Sequence, residues 1–435
     1  MGAWVALPVL WGIWLVWAYG TNVVYNDEWS LVPLFRGVIE GGAGWAELWR
    51  QSNEHRIFFP RLALLGIAWL TDYDTKVQMF VSQLWALLAY GTYLGYLGSI
   101  RGLRGRWKTG FGLLAGVACY NTMQYENFLW GFQMAFLMVL GFGVFGLHCL
   151  HRSIREEKRG WLAAALAAGT VASFSSLQGL LIWPVYVATL LAAALESRRH
   201  CARGALVAGG YGLLAVAAYF AGYEKPGWSP EYLGGGVGNA VGYYLAAAGG
   251  VAAARYAWLA AGMGVLACVL DLGLGVDLAR RGRIRENAFA IGLILFSHAF
   301  AAALAIGRVD EGGNVAHAMT SRYSTFGLLN YVGMLLIMAR EREHWLCAKR
   351  EGRAGRMAGV LLLGMFSAIV AGKCALYLAP SGEWRRERRA EAAVIRNYRE
   401  ASREDLARLE PFRNADLARQ YVEQLEGAGW NVFAE

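Results

Sequence analysis

Apolar residues in this chain fall in long uninterrupted blocks separated by short charged segments, with the period of neither an amphipathic helix nor an alternating strand. Residues 3–20 carry no charge, and about 20 mostly apolar residues are enough to cross a bilayer as a helix. Further blocks lie at 77–100, 131–150, 179–195, 204–222, 256–279, 287–306, 324–339 and 357–378. Two shorter ones, 109–120 and 161–174, must also cross if the basic clusters between blocks are to stay on one side. The pattern predicts an all-α, polytopic membrane protein with about 11 transmembrane helices. The run 57–70 holds Pro60 and Arg61 and is too short to span, so it reads as an interfacial helix within a first outer loop, 21–76. The Gly- and Ala-rich stretch 234–254 reads as re-entrant or interfacial.

Charge then orients the blocks. Lys and Arg concentrate at 101–108, 152–159, 198–203, 280–285 and 340–356 and are sparse in the alternate loops, which places the basic loops and the N-terminus on the cytoplasmic side. The net charge of +9 resides in these clusters and points to topology, not to nucleic acid. With 57% hydrophobic and 17% charged residues, the 435-residue chain is far from the balance of a soluble domain. Its cysteines, Cys119, Cys149, Cys201, Cys268, Cys347 and Cys374, form no CxxC pair and none sits mid-loop outside, so no disulfide framework is indicated. Lack of outer disulfides and sequons suggests a bacterial inner membrane with the outer face in the periplasm. Composition changes after Pro380: 379–435 is charged with apolar residues at helical spacing, broken at Pro411. It reads as a short helical extension of a transmembrane domain 1–378, periplasmic by parity, that could cover a cleft, bind acceptor or rest on headgroups.

Sorted by side, the unusual polar residues gather outside. They are Asp27 and Glu28, Asn53 to Arg56, Glu126 in "YEN", Gln178 in "SSLQ", and Arg308, His317, Arg322 and Tyr323 around one later loop. Each abuts the end of an apolar block, where a charge is costly unless paired or functional. Carboxylates that accept a proton, guanidinium groups that bind phosphate and aromatic faces for sugars (Trp29, Trp130, Trp183, Tyr323) suit group transfer from a phosphate. P-loop, HExxH and GxSxG motifs are missing. Plainer readings stand beside these: a solvated helix exit for Asp27 and Glu28, snorkelling for Arg56 and Arg61, polar caps for "YEN" and "SSLQ", and an interhelical hydrogen bond for His298.

An acidic pair just after the first helix, followed by an outer helix introduced by His and Pro in "NEHRIFFPRL", resembles the GT-C superfamily of integral membrane glycosyltransferases. The protein O-mannosyltransferases and the aminoarabinose transferases of lipid A are nearest in style. Here His55 and Pro60 are separated, a departure from the His-Pro-Pro-Leu type sequence that leaves the subfamily and the sugar open. The resemblance implies a GT-C-like fold and transfer of a sugar, with inversion, from a polyprenyl-phosphate donor to a glycan, lipid or protein acceptor on the outer face. On that basis Asp27 is expected as general base, with Glu28 holding a second group. Asn53, Glu54, His55, Arg56, Glu126, Gln178, Arg308, His317, Arg322 and Tyr323 are expected to bind substrate, with Arg56 and Arg322 clamping the phosphate. No cofactor is certain, and a divalent cation is left open. The rival class is a transporter or flippase of a lipid-linked or anionic substrate, which predicts polar residues at mid-membrane depth.

Overall fold

The structure, a computed structural model, describes residues 2–227, 233, 235–253, 256–310, 312–347, 364, 367–409 and 413–434. Among these the chain is all-helical, its one β-like feature an isolated bridge between Ser52 and His55. After a 3-10 turn at Ala3–Ala6, the α-helices are α1 Leu7–Tyr19, α2 Leu31–Ile39, α3 Trp45–Trp49, α4 Phe58–Thr71, α5 Thr75–Ser99, α6 Gly105–Cys119 and α7 Tyr125–Leu129. They continue as α8 Met134–Glu156, α9 Arg159–Ser173, α10 Ile182–Ala194, α11 Arg198–Phe220, α12 Gly236–Gly249, α13 Ala257–Arg280, α14 Ile284–Arg308 and α15 Ser324–Cys347. The C-terminal extension adds α16 Leu378–Arg396, α17 Arg403–Leu409 and α18 Ala415–Ala428.

Five helical segments are long and apolar enough to cross a membrane: Gly131–Glu156, Leu177–Ala194, Arg199–Phe220, Ala257–Arg280 and Ile284–Arg308. Of the expected span 357–378, residues 357–363, 365 and 366 lie outside the described residues, as do Pro411 and much of the last basic cluster; 367–376 is helical. Other described helices, among them the 25-residue α5 and the 24-residue α15, fall on the remaining expected blocks. At 1.5 Å per residue, the 15-residue α6 and α9 are short for a bilayer core. The run expected at the interface is the 14-residue α4.

Small residues let these helices approach, since between apolar helices in lipid close packing replaces the hydrophobic drive. A Cβ on Gly12 would lie 2.7 Å from Gln83 Oε1, and one on Gly116 2.6 Å from Pro8 Cγ, so α1, α5 and α6 touch through glycine. The 234–254 stretch becomes α12, forming a hairpin with α13 in which Cβ atoms on Gly249 and Gly264 would overlap the Ala260 and Leu245 carbonyls. One interhelical polar network joins α12, α13, α14 and α15. Asp271 on α13 meets His298 Nε2 at 2.8 Å and Asn330 Nδ2 at 2.8 Å, and His298 Nδ1 meets Tyr244 Oη at 2.8 Å.

The basic loops meet at one end of the bundle. Glu196 accepts from the Ile284 and Arg285 amides at 2.6 and 3.1 Å, Arg285 donates to the Ile154 carbonyl at 2.8 Å, and Arg342 donates to the Gly102 carbonyl at 3.0 Å. Glu341 accepts from Arg281 and Arg283 at 2.9 and 3.1 Å. At the opposite end lie the 21–76 loop and the extension, which is tied to α7 by Trp384 Nε1 donating to the Leu129 carbonyl at 3.2 Å and to the loop by Asn431 N donating to the Asp72 carbonyl at 2.7 Å. Trp430 stacks on Tyr73 with centroids 5.6 Å apart, and the Arg388 guanidinium sits 3.6 Å from the centre of the Tyr25 ring.

Candidate functional site

The site begins with "YNDEWS". Asn26–Ser30 is a 3-10 turn entered with Asn26 at φ 48°, and Glu28 closes it by accepting the Tyr25 amide on Oε2 at 3.0 Å, half of a capping box. Glu28 Oε1 accepts the Phe132 amide at 2.8 Å, which ties the turn to the start of α8. Both oxygens are thus used by backbone, and burial drives the Glu28 pKa up to about 8 despite those two N–H donors. Its neighbour points the other way, as adjacent residues do not share a helical face. Asp27 accepts from Asn53 Nδ2 at 2.8 Å and borders a cavity of about 640 Å³. Burial raises the Asp27 pKa, while the Asn53 hydrogen bond, then His55, Arg322 and Arg308, pull it back.

Asn53 reaches Asp27 because Ser52 and His55 exchange backbone hydrogen bonds at 2.7 and 2.8 Å around a tight turn, with Asn53 at φ 50°. The same turn aims Glu54 and His55 into the cavity. Glu54 is ion-paired with Arg308 from the end of α14, and His55 Nε2 lies 3.8 Å from Glu54 Oε1. Burial, with Arg322 adding to it and Asp27 opposing, lowers the His55 pKa to about 4. His55 is therefore neutral at pH 7, and its Nδ1 accepts the Leu177 amide at 3.4 Å.

Of the expected residues, Asp27, Asn53, Glu54, His55, Gln178, Arg308, Arg322 and Tyr323 line this one cavity, drawn from five separate segments. Arg322 lies over the Tyr323 ring, 5.4 Å from its centre. The opposite flank is apolar, formed by Phe136, Leu180, Leu181, Ala303 and Leu304 at the ends of candidate spans. Three buried polar atoms of the lining, Trp130 Nε1, Gln133 Oε1 and Gln178 Nε2, have no hydrogen-bond partner among the described residues.

The other expected residues sit elsewhere. Arg56 is a correction: its guanidinium is directed away, bonded to the carbonyls of Trp49, Tyr219 and Ala221, where it staples the first loop to the end of α11. Glu28 is likewise enclosed by backbone and does not line this cavity. Glu126 supports Arg322 from behind, accepting its amide on Oε2 at 3.0 Å, while Asn127 donates to the Arg322 carbonyl at 2.8 Å. His317 bonds Tyr243 Oη at 2.9 Å and packs edge-on to Tyr323; burial first, then Arg322 and Arg308, lower its pKa. Trp183, expected at a sugar face, is buried with Nε1 on Ser173 Oγ at 2.9 Å. Gln133, Phe136 and Tyr223 line the cavity without having been singled out by the sequence. For Gln133 the signal existed, a polar residue at the outer margin of a span, as for Gln178. Among the described residues no group of three or more His, Cys, Asp and Glu is placed to hold a metal ion.

No family model and no curated protein matches the chain. Among solved structures, the crystal structure of ArnT from Cupriavidus metallidurans bound to undecaprenyl phosphate matches with a TM-score of 0.46 and 16% identity, covering 98% of this chain and 87% of that one.

Proposed function

We propose that this chain is a membrane glycosyltransferase of GT-C type that moves a sugar from a polyprenyl-phosphate donor to an acceptor on the outer face of the membrane. The observation that carries the reading is a single cavity that joins a half-buried carboxylate, Asp27, to two guanidinium groups, Arg308 and Arg322, and opens along an apolar flank at the span ends. A phosphate clamp beside an apolar slot suits a lipid phosphate.

In this reading Asp27 takes the proton of the acceptor hydroxyl as its oxygen bonds to the anomeric carbon. The bond from that carbon to the phosphate oxygen breaks, its electron pair leaves with the lipid phosphate, and Arg322 and Arg308 meet the growing charge. Asn53 holds the Asp27 carboxylate in place. The raised Asp27 pKa makes it a better base, so activity falls as pH drops through a value above the ordinary carboxylate range. The test is transfer of radiolabelled sugar from a panel of polyprenyl-phosphate sugars, with Asp27→Asn beside the wild type. The variant is expected to lose about 10² to 10⁴ in rate; normal transfer by well-folded Asp27→Asn removes the base assignment.

One observation favours a second reading, transport of a lipid-linked or anionic substrate: the paired Asp271 and His298, which Asn330 joins, lie within candidate spans, where ionisable residues mark transport paths. Substrate flux across proteoliposomes without glycoside formation would favour it.

A further inference from the structure

The turn that carries Asp27 is a single 3-10 segment, Asn26–Ser30, and such segments have poorer hydrogen-bond geometry than an α-helix. Asn26 opens it in the left-handed region, and Ser30 Oγ donates to the Asp27 carbonyl at 2.8 Å. Its angle is set by what packs at its two ends.

The C-terminal extension packs against both. Before the turn, Arg388 of α16 lays its guanidinium 3.6 Å from the centre of the Tyr25 ring, with the Trp384 ring centre 4.6 Å away. Arg388 is buried and pairs with Glu391 at 2.8 Å, whereas its Nε and Nη1 have no hydrogen-bond partner among the described residues. Attraction of a cation to aromatic faces holds it there. Within the turn, beyond Asp27, Trp29 lies parallel to Tyr421 of α18 with centroids 6.4 Å apart. Asp27 and Glu28 thus sit between two contacts with the same extension.

Both contacts reach the carboxylate by short routes. Tyr25 immediately precedes the turn, and its amide is the one that Glu28 accepts, so a shift of its ring is passed to the Asn26–Asp27 peptide. Tyr25 also meets Trp130 edge-on at 5.2 Å, and Trp130 lines the first cavity. On the other flank, Leu417 and Tyr421 border a second cavity, of about 620 Å³, which Asn26, Asp27 and Asn53 line as well. A different tie of the extension stands apart: Asn431 bonds to Asn22, Asp72 and Tyr73, all outside the turn.

We propose that the C-terminal extension positions the Asp27 carboxylate, with Arg388 and Tyr421 as positioning residues that hold the turn from its two sides. The inference rests on the glycosyltransferase reading and deepens it. A misplacement of about 1 Å in a reacting group can cost up to about 10² in rate, so a loosened turn lowers kcat while donor still binds. The extension then acts on the rate through the turn.

The experiment uses the full-length protein in detergent, the panel of polyprenyl-phosphate sugars as donors and a glycan and lipid extract of bacterial envelopes as acceptor. Arg388→Met and Tyr421→Ala are each expected to lower kcat about tenfold with donor KM within about twofold, the pattern of an interaction realised in the transition state. Arg388→Lys keeps a cation over the ring and Tyr421→Phe keeps the stacked face, so both are expected to retain kcat within about twofold. Asn431→Ala loosens the extension away from the turn and is expected to lower the melting temperature with kcat unchanged. If Arg388→Met does not fold, Tyr25→Leu removes the same contact from the side of the turn and is expected to show the same loss of kcat. Unchanged kcat in the Arg388, Tyr25 and Tyr421 variants, or an equal loss in Asn431→Ala, overturns the positioning role alone. A rise in donor KM in place of the loss in kcat overturns it too. Neither transfer to acceptor nor release of sugar to water from any donor by wild type removes the glycosyltransferase reading and this inference together.

Discussion

The adjacent carboxylates Asp27 and Glu28 have unrelated tasks, and their surroundings decide which is which. Glu28, enclosed by backbone with its pKa raised from 4.5 to about 8, holds a proton in the folded protein at pH 7 that the unfolded chain has released. The folded state therefore binds more protons between those values, and this contribution to stability is complete below about pH 4.5 and lost as pH rises through about 8. Thermal unfolding between pH 5 and 9 is expected to show wild type losing stability relative to Glu28→Gln as pH rises; parallel curves would contradict it. Arg322 and Arg56 make the same point with guanidinium groups. Arg56 has three carbonyl partners and serves the loop, while Arg322 faces the cavity from a segment that Glu126 and Asn127 hold in place. Arg322→Lys keeps the charge and loses the planar fork, so donor KM is expected to rise about tenfold. The same change at Arg56 is expected to lower stability with donor KM retained among the molecules that fold.

Among the elements, the α12–α13 hairpin and the extension show how packing was set. A side chain on Gly264 would enter the Leu245 carbonyl, whereas one on Gly262, two residues earlier on the same helix, would meet nothing within 4 Å. Gly264→Ala is expected to destabilise by about 1–3 kcal/mol through overpacking. Gly262→Ala is expected to be neutral or to gain up to about 1 kcal/mol from helix propensity. Melting temperatures of the two in detergent would separate these outcomes. The extension docks through contacts the sequence could not announce: the Arg388 guanidinium on the Tyr25 ring, and Asn431 Nδ2 bonded to Asn22 Oδ1 at 2.6 Å and to the Tyr73 carbonyl at 3.0 Å. In its own core, Ile395, Tyr398, Leu406 and Leu409 have the helical spacing that was legible beforehand, and the structure adds Val422 and Leu425.

At the scale of the whole molecule, the basic loops gather at one end, and the two cavities beside Asp27 lie at the other, the extension bordering the second through Leu417 and Tyr421. If the basic end is cytoplasmic, a cysteine placed at the exposed Arg403 in a cysteine-free background will react with a membrane-impermeant maleimide added to intact spheroplasts. One placed at the exposed Arg101 will react only after lysis. The reverse pattern would invert the topology.

The sequence by itself determined the helical class, most helix positions and the sorting of polar residues to one end, because apolar block length and basic clustering are local properties of the chain. It also marked eight residues that line one cavity, since a polar residue at the margin of an apolar block stands out in one dimension. Tertiary structure alone decided which of them face that cavity. Whether a side chain meets a ligand space or a carbonyl depends on segments far apart in the chain, as with Arg56 and Ala221 or Glu28 and Phe132. The second cavity is of the same kind: Trp29 and Tyr421 are brought together only when the extension folds back over the first loop, a relation that no local pattern encodes.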